Sequence, residues 1–159
     1  MVRRIRPKKD DKYLQGQFRP KNWQKYKGDP TKIIYRSSWE LHVMLWLDRD
    51  ASILEWSSEE LIIPYIHPLD KEAHRYFPDF VVKMRTLDGI ETHILEVKPE
   101  AQIQEPARPK KINRGFAQKV LTYAINQAKW DMAKQYAKKR GWKFTLLNEY
   151  DIGLKVRKS

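Results

Sequence analysis

Pro78-Asp79, in the run His74-Arg75-Tyr76-Phe77-Pro78-Asp79-Phe80, is followed 17 positions later by Glu96-Val97-Lys98. Side chains alternate along a strand, so Glu96 and Lys98 share one face while Val97 turns into the core. Asp79 and Glu96 offer the hard oxygens that suit Mg²⁺ or Mn²⁺, and Lys98 offers a cation beside a water or a phosphate. The chemistry that fits this trio is metal-assisted hydrolysis of a phosphodiester. Each half also has a plain reading: an Asp after Pro often opens a strand as a turn acceptor, and Glu-x-Lys often lines a solvated strand face. Their conjunction in one basic chain favours the catalytic reading.

The intervening residues must bring the two halves together. Residues 80–84 are apolar and β-prone, Asp88-Gly89 is a hairpin signal, and residues 92–97 form a second β-prone run. Asp79 and Glu96 are therefore expected on neighbouring antiparallel strands. Upstream, Trp39, Val43, Trp46 and Leu47 fall on one helical face, capped by Ser37 or Ser38. Short β-like runs follow at 53–56 and 61–66, with a turn at His67-Pro68-Leu69-Asp70. Downstream, residues 99–115 hold three prolines and the basic set Arg108, Lys110, Lys111 and Arg114, which reads as a mobile loop beside the site. Leu121, Ile125, Ala128, Met132 and Tyr136 then mark a long helix over about 116–140 that Gly141 ends, and 142–147 is a last strand. The order is α-β-β-β-α-β, an α/β core with a mixed central sheet flanked by helices. Residues 1–32 read as a basic N-terminal arm, 33–150 as the core and 151–159 as a basic tail.

Composition narrows the partner. Among 159 residues, 32 Lys and Arg against 20 Asp and Glu leave a formal charge of +12, which suits a polyanion such as DNA. The length fits one domain. The chain has no cysteine, so disulfides and thiolate metal sites are excluded. No apolar run is long enough to span a membrane, and no secretory signal is legible at Met1, so a soluble intracellular protein is expected. His67, His74 and His93 lack the His-x₃-His spacing of a histidine metal site, so histidine ligation is not expected.

The element order, a carboxylate on the first helix, Pro78-Asp79 and Glu96-x-Lys98 resemble the PD-(D/E)xK, or restriction-endonuclease-like, nuclease superfamily. Within the core, Arg36-Ser37-Ser38-Trp39-Glu40, Glu55-Trp56-Ser57-Ser58-Glu59-Glu60, Ile63-Pro64-Tyr65-Ile66, Arg75-Tyr76-Phe77-Pro78-Asp79-Phe80 and the string from Tyr123 to Trp130 are similar to the head-completion nucleases of T-even-type tailed phages. A transposon-encoded endonuclease family has a similar core but tends to carry Gln where this chain has Glu96.

The resemblance implies that Glu40 joins Asp79, Glu96 and the Val97 carbonyl around the metal, with Lys98 acting on the attacking water or the phosphate. Ser37-x-x-Glu40 is equally a capping box, in which Glu40 only reaches back to the Ser37 N–H. Glu60 is a secondary candidate for a second metal, with a surface carboxylate as the plainer reading. His74 and Arg75 precede the metal strand and can touch phosphates. Gln127 and Lys129 read as a solvated helix face, with Lys129 retained among the DNA-contacting candidates beside Arg75 and the four loop cations. Trp23 can stack on a base or dock on a partner. The implied function is a Mg²⁺- or Mn²⁺-dependent endonuclease, with exonuclease action as a further option, working on DNA at the filled phage head. Head, portal or neck proteins are its implied partners, and the host cytoplasm during assembly, or the virion, its implied location. Two alternatives stand beside it: a structural head-completion or DNA-end-binding protein with a vestigial core, and a repair or recombination nuclease for branched DNA.

Overall fold

A computed structural model describes residues 15–154. At its centre lies a four-stranded sheet of β3 (Ile53–Ser58), β6 (Phe80–Thr86), β7 (Gly89–Val97) and β8 (Lys143–Leu147), in the order β3-β6-β7-β8. The first two pairings are antiparallel and β7 with β8 is parallel, so the sheet is mixed, as expected. Two smaller antiparallel pairs flank it: β1 (Gly16–Phe18) with β2 (Ile33–Tyr35), and β4 (Ile63–Ile66) with β5 (Ala73–Tyr76). The helices are α1 (Ser38–Arg49), the single turn α2 (Glu100–Ile103) and α3 (Arg114–Lys139). Apart from these small pairs and the α2 turn, the core order is the α-β-β-β-α-β read from the sequence.

Alternation on β7 divides the interior. Leu95 and Val97 pack with Phe80, Val82, Trp56 and the α1 residues Val43, Met44 and Leu47 on one face. Ile94 packs on the other with Trp130, Ala133 and Ala137 of α3 and with Ile63, Tyr65 and Tyr76 of the β4–β5 hairpin. Thr86 pairs with Gly89 across a two-residue hairpin loop, and Gly89 has φ +116°, a conformation open mainly to glycine.

The structure corrects the reading of residues 15–32 as an arm. Phe18 and Tyr26 are buried against Trp56, with ring centroids 5.9 and 4.8 Å from it. Lys27 N–H donates to the Trp56 carbonyl at 2.8 Å, which covers the free edge of β3. The buried Asp48 carboxylate accepts the backbone N–H groups of Lys21 and Asn22, both at 2.9 Å. Scattered aromatics without a period gave no sign of packing because they insert singly, Phe18 from the end of β1 and Tyr26 from the end of a 3₁₀ turn, into one aromatic cluster. At the other end Ile152 packs on the first core and Asp151 accepts the Asn148 N–H at 2.9 Å, so the core runs past 150. Residues 1–14 and the basic Lys155, Arg157 and Lys158 lie outside the described residues.

The helix faces also shift from those expected. On α1 the buried face is Val43, Met44, Leu47 and Asp48, while Trp46 is exposed and its indole donates to Asp50 at 3.1 Å. On α3 the fully buried residues are Asn126, Trp130, Ala133 and Ala137, with the expected Ile125, Ala128, Met132 and Tyr136 partly buried against the same core.

Asp48→Ala should strip two backbone N–H groups of a charge-assisted partner and release the segment around residue 21. The expected cost is about 3 kcal/mol, readable as a lower midpoint in urea denaturation. An unchanged midpoint would show that this anchor does not hold the segment.

Candidate active site

Asp79 precedes β6 and lies opposite Glu96, one step beyond the register Phe80↔Leu95. There the side chain takes over from the ladder: the Asp79 carboxylate accepts the Val97 N–H at 2.8 Å. Reciprocally, Glu96 Oε2 accepts the Asp79 N–H at 3.3 Å and the Tyr76 hydroxyl at 2.6 Å. Glu96 is 5% exposed, and its other oxygen lies 3.8 Å from the Lys98 ammonium. Glu59 holds the strand end from the β3 side, where its N–H donates to the Asp79 carbonyl at 3.1 Å while its own backbone takes φ +55°. A left-handed φ at a non-glycine residue is a strained conformation, and it falls here beside the functional carboxylates.

Glu40 comes from the first turn of α1. Its N–H is capped by Ser37 Oγ at 3.1 Å, but its carboxylate accepts the Arg36 N–H at 3.0 Å, not the Ser37 N–H of a capping box. That leaves Glu40 close enough to feel the charges of Glu59, Arg36 and Lys98, and for its own charge to act on Asp79. Arg36 forms an ion pair with Glu59.

The electrostatics are those of crowded acids. Burial pushes the Asp79 carboxyl well above the ordinary range, and the Glu96 charge adds to the rise. Burial also raises Glu96, against the pull of Lys98, and raises Glu40. Burial and then the Glu96 charge drive the Tyr76 hydroxyl far upward, so it stays a donor. Trp130 directs its indole N–H at the same hydroxyl but falls outside hydrogen-bond geometry.

Three half-buried or buried acids gathered at Lys98 leave negative charge over. A divalent cation supplies the missing positive charge, so the donor set fits a hard metal such as the one expected from the sequence.

The structure brings Glu40, Asp79, Glu96 and Lys98 together and moves other candidates away. Glu60 is exposed and turns toward Gly28, where an added Cβ would meet its carboxylate at 2.9 Å; the acid facing Glu40 is Glu59. Lys129 is not on a solvated face. Its ammonium lies 5.7 Å from the Tyr65 ring and 5.6 Å from the Tyr76 ring, and burial, then the Lys98 charge, lowers its pKa while Glu96 and Asp79 oppose the fall. Arg75 folds over Phe77 at 5.8 Å and is exposed, as are Arg108, Lys110, Lys111 and Arg114. Trp23 is exposed on a 3₁₀ turn.

The histidine spacing misled in part. The β4–β5 turn closes His67, Asp70 and His74 so that one ligand atom from each lies within 4.8 Å of the others. Their hydrogen bonds serve the turn, however: His74 Nε2 meets Asp70 Oδ2 at 2.7 Å, and His67 Nδ1 accepts the Leu69 N–H at 3.1 Å, so the neutral His67 ring carries its proton on Nε2. His93 is held by Glu91 at 2.9 Å and Thr145 at 3.0 Å.

Sequence reasoning missed Tyr76, Glu59 and Arg36. Tyr76 could have been found, because β5 and Pro78 place it beside Asp79. The Glu59 contact depends on a strained turn that leaves no sequence signal.

A mixed sheet bearing this carboxylate pair and lysine defines a restriction-endonuclease-like nuclease domain, and residues 50–149 match the TnsA-like endonuclease N-terminal family. The chain is also 39% identical over 138 residues to the head completion nuclease of Enterobacteria phage T4, covering 84% of this chain and 90% of that relative. It belongs to this head-completion nuclease family, with a TnsA-like endonuclease core. Glu40 precedes the matched endonuclease segment, so its place in the site rests on the geometry of α1.

Because Glu40, Asp79 and Glu96 are raised in the fold, the unfolded chain ionises them first. Their effect is to lower stability as pH rises from about 4, the unfolded carboxyl range, through their folded values. Asp79→Asn should therefore raise the melting temperature of the metal-free protein at neutral pH and flatten this fall. A lower melting temperature at pH 7 would show that the carboxylate is stabilising and the burial argument wrong.

Proposed function

We propose that this chain is a divalent-metal-dependent DNA nuclease, using Mg²⁺ or Mn²⁺, that acts during phage head completion on DNA at the filled head. The observation that carries it is the opposed pair of half-buried Asp79 and buried Glu96 with Lys98 beside them. Among folded proteins, acids are held in this way at the cost of stability where a cation or a reaction needs them. The metal would be held by Asp79, Glu96, Glu40 and the Val97 carbonyl. When bound it supplies Lewis acidity at the phosphoryl oxygen and a lowered pKa for water.

The chain's own residues do the rest. Tyr76 and the Asp79 N–H fix Glu96, and the Val97 N–H fixes Asp79, so both ligand carboxylates are oriented before DNA arrives. Lys98, on the Glu96 face of β7, orients the attacking water or meets charge gathering on the scissile phosphate. Arg75, Arg108, Lys110, Lys111 and Arg114 are exposed cations that would hold the backbone outside the site, and the basic residues beyond 154 would add to that hold. Head proteins are the partners that the T4 relative's name suggests; portal or neck proteins as further partners, and action in the host cytoplasm or the virion, rest on the family resemblance. A structural protein with a vestigial nuclease core is disfavoured because it has no physical reason to keep two carboxylates poised together away from solvent.

Cleavage of linear, circular and branched DNA with Mg²⁺ and with EDTA tests this reading. Metal-dependent cutting supports it; no cutting of any substrate would leave the structural alternative, and cutting of branched DNA alone would favour repair. Asp79→Ala, Glu96→Ala and Lys98→Ala should each lower the cleavage rate by about 100-fold or more while DNA affinity in EDTA holds.

Glu40→Gln separates ligation from capping, since Gln can still accept the Arg36 N–H but is a poor metal ligand. Loss of most activity is expected. Wild-type cutting by this variant would reduce Glu40 to a capping residue.

A fourfold Ala variant of Arg108, Lys110, Lys111 and Arg114 should weaken DNA binding and reduce the slope of log K against log salt by about one unit for each phosphate no longer neutralised. An unchanged slope would assign the loop to a protein partner or to solvent.

A further inference from the structure

The long helix contributes a group to the site that its solvated-face reading hides. Lys129 lies on α3 beside the buried Asn126 and Trp130, half-buried, and its ammonium is boxed by the Tyr65 and Tyr76 rings at 5.7 and 5.6 Å. Tyr76 is the residue whose hydroxyl donates to Glu96, so the box places Lys129 at the carboxylates, where its charge and those of Glu96, Asp79 and Lys98 act on one another. The two lysines are placed differently. Lys98 stands within ion-pair distance of Glu96, at 3.8 Å, whereas Lys129 makes no ion pair or hydrogen bond among the described residues.

An ammonium carries three donors and no acceptor. Those of Lys129 are held close to the acids without being used by them, and the aromatic faces that confine it attract the charge without taking up an N–H. Ordinary counter-ion duty for Glu96 would bring Nζ into pairing distance. What satisfies a fixed cation with free donors beside a metal-binding carboxylate pair is a second anion that arrives with the substrate. A phosphodiester supplies one, with two non-bridging oxygens. The side-chain amide of Asn126, one turn earlier on the same helix, likewise makes no hydrogen bond among the described residues, so this face of α3 carries more than one polar side chain not used by the fold.

The geometry points to Lys129 as a phosphate-contacting residue of the nuclease site, a second cation placed by the Tyr65–Tyr76 box to bind the DNA backbone where Asp79 and Glu96 act. It rests on the nuclease reading for its role in cutting, but the contact itself can be read without cleavage. Lys129→Met removes the charge and keeps an apolar stem against both rings. Lys129→Gln serves as a second neutral variant, so that the test survives if one of the two fails to fold.

The decisive measurement is the affinity of the full chain for a short linear duplex in EDTA across a salt series. The slope of log K against log salt should fall by about one unit in both neutral variants and stay at the parent value in Lys129→Arg. A slope unchanged in the folded neutral variants overturns the proposal and leaves Lys129 as a counter-ion of the acids. Two further readings separate those roles. Calorimetric Mn²⁺ affinity of the DNA-free protein should not fall in Lys129→Met, since a neighbouring positive charge has been removed, and single-turnover cleavage at saturating Mn²⁺ should fall about tenfold or more. A cleavage loss that higher Mn²⁺ restores would mean that Lys129 only tunes the ligands, against the proposal. If the parent cuts no DNA at all, the nuclease reading fails, and the salt slope still decides whether Lys129 meets a phosphate.

Discussion

Two carboxylates face each other across the end of the β6–β7 pair, and the molecule is organised around keeping them there. Asp79 and Glu96 occupy opposed positions where an apolar pair would pack freely. Instead each takes a backbone N–H from the other's strand: Val97 to Asp79, and Asp79 to Glu96. Burial raises the protonation preference of both groups and the Glu96 charge adds to the rise at Asp79, while these N–H bonds, and at Glu96 the Lys98 charge and the Tyr76 hydroxyl, oppose it. The arrangement persists because the strands are locked on both flanks, by the antiparallel β3 pairing on one side and the parallel β8 pairing on the other. A slip of one residue would turn the acids to the opposite face and destroy the site.

That locking needs two separate cores. On the α1 face, Trp56 is the hub, and it is enclosed only because Phe18 and Tyr26 reach it from before β2. The segment from Gly16 is thus part of what steadies β3, and β3 in turn presents Glu59 to the Asp79 carbonyl. On the other face the β4–β5 hairpin is pinned to α3 through Ile63, Tyr65 and Tyr76. Tyr76 belongs to the core by its ring and to the site by its hydroxyl, so packing and ligand orientation are set by one side chain. The acids are in this sense held by hydrophobic burial on both sides of a thin polar seam.

Much of this was legible in the sequence because it rests on period-2 alternation and hairpin chemistry. Asp88-Gly89 and the β-prone runs around it were enough to oppose Asp79 with Glu96, and the Glu-x-Lys spacing put Lys98 on the Glu96 face. The helical faces were less secure. On α3, the apolar stripe at 121, 125, 128, 132 and 136 fits a helical period and its last four members pack at the edge of the second core, yet Asn126, Trp130, Ala133 and Ala137 are the residues fully enclosed. Apolar periodicity gives no weight to a buried amide such as Asn126 and little to alanine, so the face it marks lies about one residue from the enclosed one. That offset carried Lys129 from the expected water to the border of the site. Residues 15–32 were unreadable for a different reason: their order comes from a carboxylate, Asp48, and an indole, Trp56, more than twenty positions away.

The charge distribution separates capture from chemistry. The chain carries a formal +12, yet its buried centre gathers acids. The outer cations act through water, where at about 0.1 M salt the screening length is only about 10 Å; on the proposed reading they would draw in DNA and set how affinity answers to salt. The acids and the cations bound to them lie inside low-dielectric packing and are screened far less. On the proposed reading, a phosphate that moves from the surface to the seam exchanges a diffuse attraction for a few fixed contacts, with the Lys98 and Lys129 ammonium groups already beside the acids to receive it. Lys98 alone does not balance three acids. A divalent cation would supply the rest, so on the proposed reading metal and DNA binding would support each other through electrostatics, with no movement of the fold required.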